Sequence, residues 1–380
     1  MISLRHIALS AAFAFIACGT NAQTSFEEIK ADLNKAGGVY LAYPEVNGKL
    51  TPAPKGYKPF YISHYGRHGS RYLLGDGDFE QTIGLLQKAE DNGCLTEFGK
   101  DVLKKLRITF KETEGRGGDL TPLGARQHKG IAERMAKNFP EVFKGKKNVD
   151  ARSTVVYRCA MSMAAFCDGL KGVFPNLDIK YEMNQKNMAY LNYHTDKSNR
   201  FTNGETGPWV EEYRKFETEH VKPERMVNAL FSDKDFIRCQ VNPEKLMWAF
   251  YWIAVDMQDI ETKQSFYDVF TPQELFNLWQ CVNYRFYIGN ANPEMSNGLV
   301  MANASTLVEN IIECADKAIS DNSMAADLRF GHDGNVIPLL ALMQIDGFDA
   351  SVRKPEEVYK YWSDFKATPM ASNVQIVFFR

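Results

Sequence analysis

Strand-forming patterns occur only toward the two ends of this 380-residue chain, with a long helix-rich stretch between them, and that arrangement narrows the accessible folds most. Residues 58–65 form a strand-like run carrying Phe60, Tyr61, Ile62 and His64, which ends in Gly66-Arg67-His68-Gly69, where two glycines permit a sharp turn. Helical patterns follow over 79–89 and 96–111, and Thr121 as N-cap with Pro122 at the first helical position opens a helix through Asn138. Residues 148–153 read as a second strand, 155–173 as a helix and 177–183 as a third strand. From Asn184 to Asn297 the texture becomes that of aromatic-rich helices, such as 209–221, 243–260 and 272–287. Strand patterns return at 325–330, followed by Gly331 and a helix over 334–343, and again at 373–379. Strands alternating with helices at both ends argue for an α/β fold, a three-layer sandwich around a mostly parallel sheet built from residues 23–183 and 298–380. Residues 184–297 are expected to form an inserted α-helical cap.

Residues 1–22 carry Arg5 and His6, then an apolar run over 7–17, then Thr20-Asn21-Ala22 before Gln23, the pattern of a secretory signal with a small-residue cleavage site. Export to a periplasmic or extracellular compartment is therefore expected. Phe15-Ile16-Ala17-Cys18 is a looser match to a lipoprotein cleavage box, with a lipid anchor at Cys18 as the alternative. No later stretch approaches the roughly 20 apolar residues of a membrane span. Beyond the leader lie six cysteines, Cys94, Cys159, Cys167, Cys239, Cys281 and Cys314, which an oxidising compartment could bridge or the core could hold as free thiols. Cys159 and Cys167, about 12 Å apart along one helix, cannot pair with each other.

A formal charge of −2 gives no global field for nucleic acid or an anionic membrane, so any anion site must be built locally. One segment does this. Arg67-His68-Gly69-Ser70-Arg71 gathers two guanidinium groups and an imidazole at a strand's end, where open α/β sheets place ligands, whereas the bland alternative is a turn with solvated arginines. His64 and His68 are spaced like a helical metal pair, but Tyr65-Gly66 between them makes no helix, and no cysteine–histidine cluster has metal-ligand spacing.

Four segments together resemble the histidine phosphatase superfamily, in its acid phosphatase and phytase branch. They are residues 66–72, then 120–124 with Gln127-His128, then Arg152-Ser153-Thr154 with Arg158, and Gly331-His332-Asp333 with Asn335. Within the branch, Arg71-Tyr72, the surroundings of Arg158 and residues 337–343 look most like multiple inositol polyphosphate phosphatases. Those enzymes usually carry His-Ala-Glu near the C-terminus, and here Asp333 follows the histidine directly while Gly334 takes the place of the glutamate.

The resemblance implies a phosphomonoesterase working without metal or cofactor on a small phosphorylated substrate, of which inositol polyphosphates are one class. His68 would be the nucleophile and form a phosphohistidine, with Arg67, Arg71, Arg158 and His332 binding the phosphoryl oxygens and Asp333 protonating the leaving alkoxide. Arg152 could also reach the phosphate, but the resemblance gives that role to Arg158; His128 reads as a packing residue. The alternatives are a broad acid phosphatase acting on sugar phosphates or nucleotides and a catalytically silent phosphate-ester binder.

Overall fold

The strands expected at the two ends meet in a single sheet in the computed structural model, which describes residues 24–380 apart from 47, 49, 146, 147 and 322. They are β1 (Pro59–Arg67), β2 (Asn148–Ser153), β3 (Asp178–Met183), β4 (Met324–Gly331) and β5 (Asn373–Phe379), in the order β3-β2-β4-β1-β5. The first four run parallel to one another, and β5 pairs antiparallel with β1. The leader expected over residues 1–22, with the Cys18 alternative, lies outside the described residues.

Alternation along the strands decides which helices cover which face. On β1, Ile62 points to the side where helices Pro122–Asn138 and Tyr157–Val173 supply Ile131, Met135, Phe166 and Leu170. Tyr61 and Tyr65 point to the other side, beneath helix Ser305–Asp321 with Leu307, Ile311 and Ala315 and helix Asp333–Leu342 with Val336 and Leu339. Helices on both faces of a mostly parallel sheet make the three layers expected from the sequence.

Helices follow one another between β3 and β4, among them Val210–His220, Pro243–Asp256 and Pro272–Asn290. Their aromatics, including Phe250, Tyr251, Trp279 and Tyr284, enter one large apolar cluster. That cluster also takes in Phe79 and Leu86 from helix Gly77–Asp91, Val102 and Leu106 from helix Glu97–Thr113, and Trp362 and Phe365 near the end of the chain.

Several boundaries differ from the sequence expectation, among them the helix expected over 243–260, which ends at Asp256, and two of the differences lie where the strands meet the loops that follow them. β1 continues through Gly66 and Arg67, which pair with Phe330 and Gly331, so Gly66 is a strand residue and not part of the turn. Its lack of a side chain serves packing: a Cβ there would stand 2.7 Å from His64 Cε1. The helix after β4 begins at Asp333 and not at Gly334, which puts the carboxylate itself in the first turn. The six cysteines are free thiols, with Cys159, Cys167 and Cys281 buried in the core. No helix among the described residues is long and apolar enough to cross a membrane.

Candidate active site

Parallel pairing of β1 and β4 in the register Arg67↔Gly331 brings the residues just beyond the two strands side by side. The His68 N–H donates to Gly331 O at 3.0 Å, and beyond β2 the Thr154 N–H donates to Phe330 O at 3.0 Å. The carboxyl ends of three strands therefore converge. The rings of His68 and His332 stand edge to face with centroids 5.8 Å apart. Arg158 joins them from the first turn of helix Tyr157–Val173.

The loop carrying His68 is fastened from several directions. Ser162 Oγ accepts from the Gly69 N–H at 3.1 Å, and Gln127 Oε1 accepts from the Ser70 N–H at 2.9 Å. Thr121, the N-cap of its helix, sends both its N–H and its hydroxyl to Ser70 O, at 2.9 and 3.1 Å. This contact is so close that a Cβ on Gly124 would lie 2.3 Å from Ser70 O, and one on Gly69 would lie 2.6 Å from Gly124 O. The helical layer holds the other side of the loop. Ser70 Oγ donates to Asp259 Oδ1 at 2.5 Å, and the Leu73 N–H donates to Asp256 Oδ2 at 3.1 Å. Both carboxyls are fully buried; burial raises Asp256 above the usual carboxylate range, and burial followed by the nearby Asp256 raises Asp259 well above it.

His68 itself is almost completely buried. Burial, and then the charges of Arg67, Arg71 and Arg158, hold its imidazole well below the usual histidine range, so it is neutral at ordinary pH. Its Nδ1 lies 2.9 Å from Gly69 O. A carbonyl oxygen only accepts, so the ring proton belongs on Nδ1 and the lone pair on Nε2. His332 is pushed down to about 4 by burial, with Asp333 opposing and the same three arginines adding, and its Nε2 is 3.2 Å from Thr154 Oγ1.

Arg67 is the most enclosed cation of the group, 1 % exposed. Its Nη1 donates to the carbonyls of Val39 and Thr368, and its Nη2 pairs with Asp333 Oδ2 at 2.8 Å. Asp333 also accepts from the Gly334 N–H at 2.7 Å. Burial raises this carboxyl, but Arg67, His332 and Arg71 outweigh it, and the balance falls below the usual value. Arg71 lies over the Tyr40 ring at 4.5 Å and donates to Tyr72 O at 2.9 Å. Arg158 is half-buried, and its Nε has no hydrogen-bond partner among the described residues.

All six side chains singled out from the sequence, His68, Asp333, Arg67, Arg71, Arg158 and His332, thus surround one place. Arg152 does not join them: on β2 it pairs with Asp150 and Asp327 at 2.6 and 2.7 Å and with Glu182 at 3.4 Å. His64 and His128 pack against Phe166 and Phe330, and burial pushes each down to about 3. Tyr40, Asp256 and Asp259 are the participants that sequence reasoning missed. Ser70 and Asp259 are 189 residues apart, and neither aspartate sits in a local pattern that distinguishes it. No group of three or more His, Cys, Asp and Glu side chains suited to a metal ion occurs among the described residues.

Solved structures with this fold include the multiple inositol polyphosphate phosphatase of Bifidobacterium longum, crystallised with inositol hexasulfate. It is 18% identical with a TM-score of 0.76, over 91% of this chain and 89% of that one. The phytase from D. castellii is 15% identical with a TM-score of 0.65, over 92% and 76% of the two chains. No curated protein sequence matches the chain. The model of the histidine phosphatase superfamily (branch 2) matches residues 66–380, a span that holds all six of the converging side chains, and the chain is a phosphatase belonging to that superfamily.

Proposed function

We propose that the protein hydrolyses phosphate monoesters by way of a phosphohistidine on His68, with Asp333 as the general acid. The observation that carries this reading is the tautomer set by Gly69: Nδ1 bonded at 2.9 Å to the carbonyl leaves Nε2 with a free lone pair, beside the charges of Arg67, Arg71 and Arg158. The arginines attract the nonbridging oxygens and spread the charge that develops as the phosphoryl group moves. Nε2 bonds to phosphorus while the P–O ester bond breaks, and the departing alkoxide takes a proton from Asp333. Water then attacks phosphorus, the P–N bond breaks, and Asp333 regains a proton as inorganic phosphate leaves.

Electrostatics supports the acid's role once substrate is present. Without an anion, Arg67 keeps the Asp333 carboxyl ionised. A phosphate dianion beside Arg67 and Arg71 offsets their pull, and burial, the largest influence on this carboxyl, then favours its protonated form. The proton donor is thus charged by the binding of its own substrate.

The structural relatives, a multiple inositol polyphosphate phosphatase and a phytase, bring inositol polyphosphates into the substrate panel, and the leader pattern of residues 1–22 makes export part of this reading. The test is His68→Ala together with acid quenching of the wild-type protein during turnover. The variant is expected to lose hydrolysis of an aryl phosphate while keeping its melting temperature, and the quenched wild type is expected to carry phosphate on His68. Label on serine or cysteine, or turnover by the variant, refutes the mechanism.

A further inference from the structure

The cations around His68 account for one phosphoryl group, so the rest of a substrate must find its place elsewhere. A cleft of about 520 Å³ is walled by side chains of the helices Val210–His220, Pro243–Asp256 and Pro272–Asn290, among them Tyr213, Trp248, Trp252, Glu217, Arg285 and Asn290. Its volume lies within the roughly 300–1,000 Å³ of small-molecule sites.

Two of its walls lead to the phosphate site. The Trp252 ring is 5.3 Å from that of Tyr40, the ring on which Arg71 rests. On another side, Asn290 Oδ1 stands 3.2 Å from where a Cβ on Gly334 would be, and the Gly334 N–H is bonded to the Asp333 carboxylate. The cleft is thus one side chain, Tyr40, away from Arg71, and its wall residue Asn290 adjoins Gly334, the neighbour of Asp333.

The lining says what kind of alcohol the cleft suits. Trp248 and Trp252, one helical turn apart, are inclined by only 22° with centroids 6.2 Å apart, and both are half-buried with part of their surface in the cleft. Such faces stack flat rings. The charges in the wall are one arginine and one glutamate: Arg285 lies over the Tyr213 ring at 5.6 Å, and Glu217 accepts from the Tyr213 hydroxyl at 3.0 Å. A molecule with several phosphates would press them against a carboxylate and the electron-rich faces of the rings, with one guanidinium to offset them.

We infer that the cleft is a stacking subsite, which selects monoesters bearing one phosphate and a planar aromatic or heteroaromatic ring over polyphosphorylated alcohols. This rests on the phosphomonoesterase reading above. The ring lies on Trp248 and Trp252, and Arg285 is the donor available to polar atoms on its edge.

The test compares adenosine 5′-monophosphate, glycerol 3-phosphate and phytate as substrates of the wild type and of Trp252→Leu and Trp248→Leu. In the wild type kcat/KM should be highest for the nucleotide. Trp248→Leu, which leaves the contact of Trp252 with Tyr40 in place, should raise KM for the nucleotide on the order of tenfold, as loss of one stacking face does, with kcat and the constants for glycerol 3-phosphate unchanged, and Trp252→Leu should raise KM more for the nucleotide than for glycerol 3-phosphate. A preference for phytate, or an equal loss on the nucleotide and on glycerol 3-phosphate, overturns the inference. Calorimetric titration of the His68→Ala protein reads the subsite without turnover and without altering its walls. Tighter binding of the nucleotide than of glycerol 3-phosphate supports the subsite, and equal affinity overturns it. If the nucleotide binds in this way but no ester is hydrolysed by the wild type, the phosphatase mechanism falls and the subsite stands.

Discussion

Gly124→Ala, a single added methyl group, should disable the site without touching any side chain that meets substrate. The new Cβ would lie 2.3 Å from Ser70 O, 2.8 Å from Ser70 N and 2.8 Å from Leu120 Cδ1, while ordinary contacts begin at 3.4 Å. Two of these neighbours are backbone atoms of the Arg67–Arg71 segment, so relief requires the loop and the helix Pro122–Asn138 to separate by about 1 Å. The loop has little freedom to give, since Thr121, Gln127, Ser162 and Asp259 all hold it. Overpacking of this kind costs about 1–3 kcal/mol of stability, and a misplacement near 1 Å can cost about a hundredfold in rate. Steady-state hydrolysis of an aryl phosphate, run beside thermal melting, measures both. Gly84→Ala and Gly172→Ala make the same chemical change in helices where a Cβ meets nothing within 4 Å, and each should stabilise by about 0.5–1 kcal/mol with activity unchanged. If Gly124→Ala keeps kcat/KM within twofold of the wild type, the reasoning that this loop is positioned by that contact is refuted.

Asp333→Asn should slow alkyl phosphates at least tenfold more than aryl phosphates, because an aryl oxide departs with little help from a proton; an equal loss on both would show that the carboxyl only orients its neighbours. Arg158→Ala should cut kcat/KM for any ester by about tenfold or more with little change in melting temperature, since its guanidinium is half-buried and reaches toward His68. Arg152→Ala should do the reverse, lowering stability by about 3 kcal/mol as buried Asp327 loses its ion-pair partner and keeps the hydrogen bond from the Tyr61 hydroxyl, while the folded enzyme keeps its rate. Asp256→Asn should change the pH dependence of melting. A carboxyl raised by burial contributes most below its unfolded value, about 4, and loses that contribution as pH rises from there through its higher folded value, so the wild type should soften as pH rises above about 4 and the variant should do so less.

The elements of the fold were legible in the sequence because each follows from neighbours a few residues apart. Thr121 and Pro122 mark the start of a helix by capping geometry, and that helix runs to Asn138 as its pattern required. The terminal strand Asn373–Phe379 follows from an apolar run preceded by turn-forming residues. The shifted end of β1 arises from partners that local pattern does not include: Gly66 extends the strand because Phe330 and Asn373 pair with it from either side.

What only the tertiary structure decided is which polar groups meet. Residue type marked Arg67, Arg71, Arg152 and Arg158 as cations able to hold an anion without ranking them, and only the family resemblance placed Arg158 ahead of Arg152. Three now surround His68, while Arg152 is taken up by Asp150, Glu182 and Asp327 on the neighbouring strands. The setting of Asp333 depends on Arg67, whose Nη1 is in turn held by the carbonyls of Val39 and Thr368, 28 and 301 residues away. Every residue has a backbone carbonyl, so no side-chain pattern could announce those two acceptors. Asp256 and Asp259 likewise became part of the site only when the helix that ends at Asp256, and the turn after it, packed over the loop at Ser70 and Leu73. Contacts of this range depend on the order of strands and the stacking of layers, which are settled by burial of the whole chain and not by any short segment of it.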